Sequence, residues 1–287
     1  MNSKIDYQVN PKENLYFSIR LITSIGLYAL IIWLVVESLD LEEPAAGTVF
    51  VLYFYLALII VYLFMRFGVI IGHLKGNAVK LTKDQFPEIY QIVNRQSELL
   101  GLDYVPSVYL LQSGGVMNAF ASRFLGSNYI VLYSEIVEIS DSQDKNILEF
   151  IIGHELGHIK RNHLLKKLLL FPSSLIPFLA AAYSRACEYT CDNIGYALCP
   201  EGAKSGILLL ASGKNLYKKV NIKEFISQDY HEDGFWTWFA EKVSSHPNLT
   251  KRLASHVTEK DFAIKIELSS PVLEKKEEVD YSRFMPR

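Results

Sequence analysis

The sequence predicts a mainly α-helical protein with a small antiparallel β-sheet, set behind an N-terminal pair of membrane-crossing helices. Three observations carry that expectation. Two apolar stretches near the N-terminus are long enough to span a bilayer. Short β-type runs punctuated by Gly and Ser follow them. Several stretches of the remaining sequence, out of 287 residues in all, show helical spacing.

The apolar excess is concentrated in the first 66 residues. Leu21 to Val36 is uncharged for 16 residues, and the stretch extends back through Leu15, Tyr16, Phe17 and Ile19 around Arg20. Ala45 to Met65 is uncharged for 21 residues. A helix needs ~20 such residues to cross a bilayer, so two spans are expected, at about 15–38 and 45–66, with Arg20 snorkelling to the interface. The first run begins late and lacks a small-residue cleavage site, which argues against a signal peptide. Between the runs stand Glu37, Asp40, Glu42 and Glu43; outside them stand Lys4, Lys12, Arg66, Lys75, Lys80 and Lys83. The positive-inside rule then puts the N-terminus and everything after Met65 in the cytoplasm, below a plasma or inner membrane. Residues 1–75 form the anchor.

A second region, 76–265, follows. Lys83 to Leu100 carries helical spacing and stops at Gly101. Strands are expected at Val108 to Leu111, around Met117 to Ala121, and at Tyr129 to Tyr133. Helices are expected at about 146–165, 185–198, Ala203 to Tyr217 and Phe235 to Val243. The tail, 266–287, is charged, with Lys275-Lys276-Glu277-Glu278, and poor in apolar residues. A net charge of −2 with no basic stripe gives no sign of a nucleic-acid partner. Cys187, Cys191 and Cys199 form no CxxC pair; they read as small buried side chains, though the i,i+4 spacing of Cys187 and Cys191 leaves a soft-ligand role open.

The chemistry concentrates at His154-Glu155-Leu156-Gly157-His158. On a helix, residues four apart lie about 40° from each other, so His154 and His158 point the same way and can grip one ion. Zinc held by two imidazoles and a third protein ligand keeps a position open for water and lowers its pKa toward ~7. Glu155 is close enough to accept that proton and pass it to a leaving amine. Apolar residues from Ile147 to Ile159 run nearly all round this helix, so it should be buried. Gly153 and Gly157 inside it cost roughly 1 kcal/mol each against Ala, which points to another backbone, or a substrate, coming close.

No third histidine follows at the spacing that would complete the site on this helix; that position is Leu164. His163 falls near the opposite face from His154 and reads as a surface residue. Downstream, Glu188 and Asp192 stand four apart on one helix. One of these carboxylates can bind the ion while the other orients a ligand histidine through its free N–H.

Together, HExxH with an internal glycine, the later Ser184-Arg185-x-x-Glu188-x-x-x-Asp192 helix, Asn118-Ala119-Phe120 before the zinc helix and His246-Pro247 after it resemble the membrane-anchored gluzincins. These comprise the HtpX-like heat-shock proteases and the CAAX prenyl endoproteases. The resemblance covers roughly Leu81 to Leu253. It implies one zinc ion per chain on His154, His158 and Glu188, with Glu155 as general base and Asp192 behind the ligands. It further implies an Asn118-Ala119-Phe120 strand edge for the substrate backbone, His246 near the reacting carbonyl, and Arg252 supporting the site. Cys191 replaces the family's usual alanine, and Cys187 stands where a larger polar residue is common.

Leu168 to Ser184 is uncharged for 17 residues but contains Pro172 and Pro177. A single crossing there would put Glu188 across the membrane from the histidines, and a double crossing needs more helix than the ~25 Å these residues supply. A kinked segment or tight hairpin, in the interface or packed on the domain, is therefore expected. The combined expectation is a membrane-anchored zinc endopeptidase acting on polypeptides, suited to membrane-protein quality control. A prenyl-peptide endoprotease and a non-catalytic scaffold are the alternatives.

Overall fold

A computed structural model describes residues 5–39, 45–112, 119–124, 126–142, 144–232 and 234–257. Helix α1, Pro11–Leu39, and helix α2, Ala45–Asn77, are both long and apolar enough to cross a bilayer. The most apolar stretch of α2 buries none of its residues, so α2 is no core helix of the protein. Ser38 Oγ and Tyr53 Oη, 2.7 Å apart, join the two near their connection.

Residues beyond the hairpin build a four-stranded sheet and a helical layer. Strand β1 (Val79–Lys80) is followed by helix α3 (Pro87–Leu99), β2 (Ser107–Leu111), β3 (Ala119–Phe124) and β4 (Ser127–Tyr133). The order is β1-β2-β4-β3. Two pairings are antiparallel, but β2 and β4 run parallel, so the sheet is mixed rather than wholly antiparallel. The reason lies in the side chains. Tyr129 to Leu132 are buried, so β4 takes an inner position, whereas β3 carries Ser122 and Arg123 and lies outside it. The β3–β4 hairpin turns at Gly126, whose φ of 83° suits glycine.

Helix α4 (Ser134–Ser142) leads to α5 (Lys145–Lys160), which starts where the Asp144 side chain accepts from Asn146 N–H at 3.1 Å. This helix ends earlier than the 146–165 pattern suggested. Asn162 adopts the left-handed region (φ 54°), and α6 (His163–Leu169) sets off in a new direction. A 3₁₀ turn at Pro172–Leu175 and then α7 (Leu179–Leu198) follow, giving the expected kink between the prolines. Helices α8 (Pro200–Ser212), α9 (Ile222–His231), α10 (Phe235–Val243) and α11 (Leu249–Ala254) complete the layer. Contacts gather Met1–His256 into one unit; of the second, Val257–Arg287, only Val257 is among the described residues.

The core of this layer is the α5–α7 pair. A Cβ added at Gly157 would lie 3.2 Å from the Cα of Cys191, and one at Gly153 would lie 3.1 Å from the Cα of Gly195. The two glycines therefore admit the backbone of α7, not a substrate.

Arg20 does not snorkel. It is 2% exposed, and its Nη2 donates to the Leu170 carbonyl at 2.8 Å and to Ser174 Oγ at 2.9 Å. Its Nε donates to Ser173 Oγ at 2.8 Å, and the guanidinium lies over the Tyr183 ring. An arginine within an apolar helix is costly unless its donors are met, and the α6–α7 turn meets them.

Candidate metal centre

Helix α5 presents His154 and His158 on one face, 5.1 Å apart between ring centroids, and the close approach of α7 brings Glu188 opposite them. Glu188 Oε2 lies 3.3 Å from His154 Nε2, and Oε1 lies 3.5 Å from His158 Nε2. Asp192, one turn further along α7, is fully buried and sits 2.8 Å from His154 Nδ1. Arg252 on α11 grips Asp192 with Nε and Nη2 at 2.7 and 2.6 Å. With Nδ1–H donating to Asp192, His154 offers Nε2 toward Glu188.

The electrostatics favour a cation. Burial disfavours charge on His154, but hydrogen bonds to Asp192 and Glu188 override it and lift its pKa to about 10. Burial, reinforced by neighbouring positive charge, pushes His158 well below its ordinary value, keeping it neutral. Glu188 stays well below the carboxylate range: burial opposes ionisation, and the hydrogen bond and charge of His154 outweigh it. Glu155, buried beside them, is raised to about 7, chiefly by burial and despite His154 nearby. It accepts a hydrogen bond from the backbone of Ala121 on β3, which brings the sheet against the site.

His163 corrects the expectation of a surface residue: it is fully buried. Its Nδ1 is 3.1 Å from His158 Nδ1, and its Nε2 is 3.2 Å from Glu13 Oε1 on α1. Arg161 Nε and Nη2 donate to the same Glu13 oxygen at 3.0 and 2.9 Å. If His158 offers Nε2 to an ion, its Nδ1–H must donate to His163 Nδ1, so His163 carries its hydrogen on Nε2 and donates to Glu13. The helix break at Arg161-Asn162 turns His163 inward, and an Asn at the end of a helical pattern is the one sequence signal for it.

Two other groups, Glu13–His163–Cys187 and His158–His163–Cys191, also hold ligand atoms within 4.8 Å of one another, as do His154, His158 and Glu188. A cation on His163 Nε2 would leave Nδ1–H facing His158 Nδ1, forcing hydrogen onto His158 Nε2 and disabling the His154–His158–Glu188 set. Arg161 already supplies positive charge to Glu13. Burial also pushes the Cys187 thiol up to about 12 and Cys191 well above its ordinary value, so neither is a ready thiolate. The donor chemistry fits zinc at His154, His158 and Glu188.

The remaining expected residues divide. His246 stands on an exposed loop with Nε2 3.7 Å from Glu188 Oε1, and its Nδ1 is 3.0 Å from Ser245 Oγ. Arg185 steadies that loop, its Nη1 donating to the carbonyls of Glu241, Lys242 and Ser244 at 2.7 to 2.9 Å. Ala119 and Phe120 lie on β3, opposite Leu132 and Val131. Asn118 lies outside the described residues.

The chain matches Peptidase family M48 over residues 83–176 and 168–260, together more than half its length. It is 24% identical over 172 residues to the plastoglobule-localized metallopeptidase 48 of Arabidopsis thaliana, covering 53% of this chain and 48% of that protein. The chain thus spans about half the length of that relative. It is 26% identical over 216 residues to a protease HtpX homolog of Helicobacter acinonychis, covering 61% of this chain and 68% of that protein. Over 67 residues it is 40% identical to the CAAX prenyl protease 1 homolog of Dictyostelium discoideum, 23% of this chain and 15% of that one. Superposition on the crystal structure of S. mikatae Ste24p covers 88% of this chain and 67% of that one, with a TM-score of 0.43 and 15% identity. On the extent of the family match, the chain belongs to Peptidase family M48.

Proposed function

We propose that this protein is a membrane-anchored zinc endopeptidase, its catalytic side cytoplasmic, that cuts membrane or misfolded polypeptides. The observation that carries this reading is the convergence of His154, His158 and Glu188, with Asp192 behind His154 and Glu155 beside the set. Zinc held there supplies Lewis-acid polarisation of the scissile carbonyl and acidifies water. Glu155, buried beside the candidate ligands, takes the water's proton and delivers it to the leaving amine. Asp192 and the His163–Glu13 pair fix the ring orientation of the two histidines. His246 sits beside Glu188 on the exposed side, where it can donate to the oxygen of the reacting carbonyl.

Substrate binds as an added strand at Asn118-Ala119-Phe120, where main-chain hydrogen bonds bring the peptide to Glu155 with little demand on sequence. That mode suits quality control better than a single dedicated substrate. The test is full-length protein purified in detergent, assayed for bound zinc and for casein cleavage. Zinc at one per chain with cleavage abolished in Glu155→Gln supports the reading; zinc with no cleavage by the unaltered protein would favour a scaffold.

A further inference from the structure

The turn between α6 and α7 leaves apolar side chains facing outward at a defined level along α1. Tyr28 Oη donates to the Leu169 carbonyl at 3.2 Å, while Arg20 binds the Leu170 carbonyl and Ser174. Tyr28 lies eight residues further into the apolar stretch than Arg20, roughly 12 Å along the helix. The turn thus lies along α1 over that depth. Leu168, Phe171 and Leu175 remain 71, 67 and 77% exposed there. No charged residue occurs from Leu168 to Ser184, and Lys166 and Lys167 stand just before.

Helix α10 continues the same surface. Phe178, at the end of the turn, meets Phe239 edge-to-face at 6.1 Å. Beside Phe239, Phe235 and Trp236 are exposed, Trp236 at 76%. Of the two charged residues of α10, Glu241 is paired with Lys251 at 2.7 Å, and Lys242 lies over the Trp238 ring. Exposed Trp and Phe flanked by lysines suit the boundary between acyl chains and anionic headgroups.

We propose that the 168–178 turn and the aromatic face of α10 form one membrane-binding surface, seated in the leaflet that α1 enters. The occupant is a lipid bilayer, because Arg20 and Tyr28 already tie the turn to the apolar length of α1. The turn shields Arg20 from acyl chains, and α10 rests at the headgroup level. Arg185 then transmits the position of α10 to the His246 loop, so the open side of the metal centre faces the membrane surface.

This surface rests on the reading of α1 as a span, and the experiment separates the two. Full-length protein in nanodiscs of phosphatidylcholine and phosphatidylglycerol would carry a bimane label at Leu175→Cys, Trp236→Cys, Ile31→Cys or Glu201→Cys. All four sites are exposed, so the label displaces no core side chain, and the native cysteines are buried. Brominated lipids should quench the labels at 31, 175 and 236 several-fold more than the label at 201. Quenching at 31 with 175 and 236 behaving like 201 overturns the surface and leaves the anchor standing. No quenching at 31 removes the anchor reading and the surface with it. Blue-shifted but unquenched emission at 175 and 236 puts a second copy of the chain on the face, which also overturns the proposal.

Discussion

Glu13, on the first apolar helix, accepts a hydrogen bond from His163 Nε2 at 3.2 Å, and the other nitrogen of that ring faces His158, a candidate metal ligand. A carboxylate that precedes the first span thus ends a hydrogen-bond chain that begins at a candidate zinc ligand. His163→Phe fills similar space but offers His158 no acceptor. Zinc affinity, measured by competition with a chelator, should fall 10–100-fold. Unchanged affinity with a normal fold would show that His158 is oriented by something else.

Glu188→Ala should reduce zinc content itself, because a two-histidine site lacks the third protein ligand of catalytic zinc. Cys187→Ser and Cys191→Ser should leave zinc content unchanged, since their thiols are held protonated by burial. Metal analysis of the purified proteins decides it. Loss of metal from the serine variants alone would move the site to the His163 side of α5.

Glu155→Gln should keep zinc bound and lower turnover by 10²–10⁴-fold or more, as removal of a general base does. Zinc content and peptide hydrolysis are measured on the same preparation. Near-normal turnover would exclude Glu155 as the base.

The same substitution has a stability signature in the metal-free protein. Burial raises Glu155 from 4.5 to about 7, so between those pH values the folded state holds a proton the unfolded state has lost. Stability from this residue is intact below pH ~4.5 and lost as pH rises through ~7. Above pH 7, metal-free Glu155→Gln should therefore be more stable than the unaltered protein, by on the order of 3 kcal/mol, with the gap closing toward pH 4.5. Thermal melts in detergent across this range measure it; a gap that widens on acidification would reverse the assignment.

Orientation is tested with impermeant thiol reagents on intact cells. Ala46→Cys, beside the acidic connection, should react from outside, and Glu201→Cys should not until the membrane is opened. The reverse pattern would put the metal centre on the far side of the membrane.

The sequence made the metal-site helices legible because their chemistry is local: His154, Glu155 and His158 share a helical face, and Glu188 and Asp192 repeat that spacing. The strands at 108–111 and 129–133 and helix α10 were equally plain from periodicity. The direction of β4 was not, because pairing depends on which strand is most apolar, a comparison among strands rather than within one. A helical wheel continued across Asn162 puts His163 on the surface, but the backbone leaves the helix there. Nothing local to Arg20 reveals that a carbonyl 150 positions away accepts from it, so its sequence setting points to the interface instead. Helices α9 and α11 went unseen, being short and having few buried residues.

The glycines at 153 and 157 bear no chemistry, yet they set the separation between the helix that carries the histidines and the helix that carries Glu188. They act as a spacer, holding the two helices at a distance that any side chain there would increase. Alanine at Gly157 would press against the Cα of Cys191 and push the helices apart by a few tenths of an ångström. Every candidate ligand would keep its chemistry, but the distance between the imidazoles and the carboxylate would widen. The distance between the candidate ligands is thus set partly by residues that carry no donor atom, and a change at either glycine would act on the site through the packing of two helices.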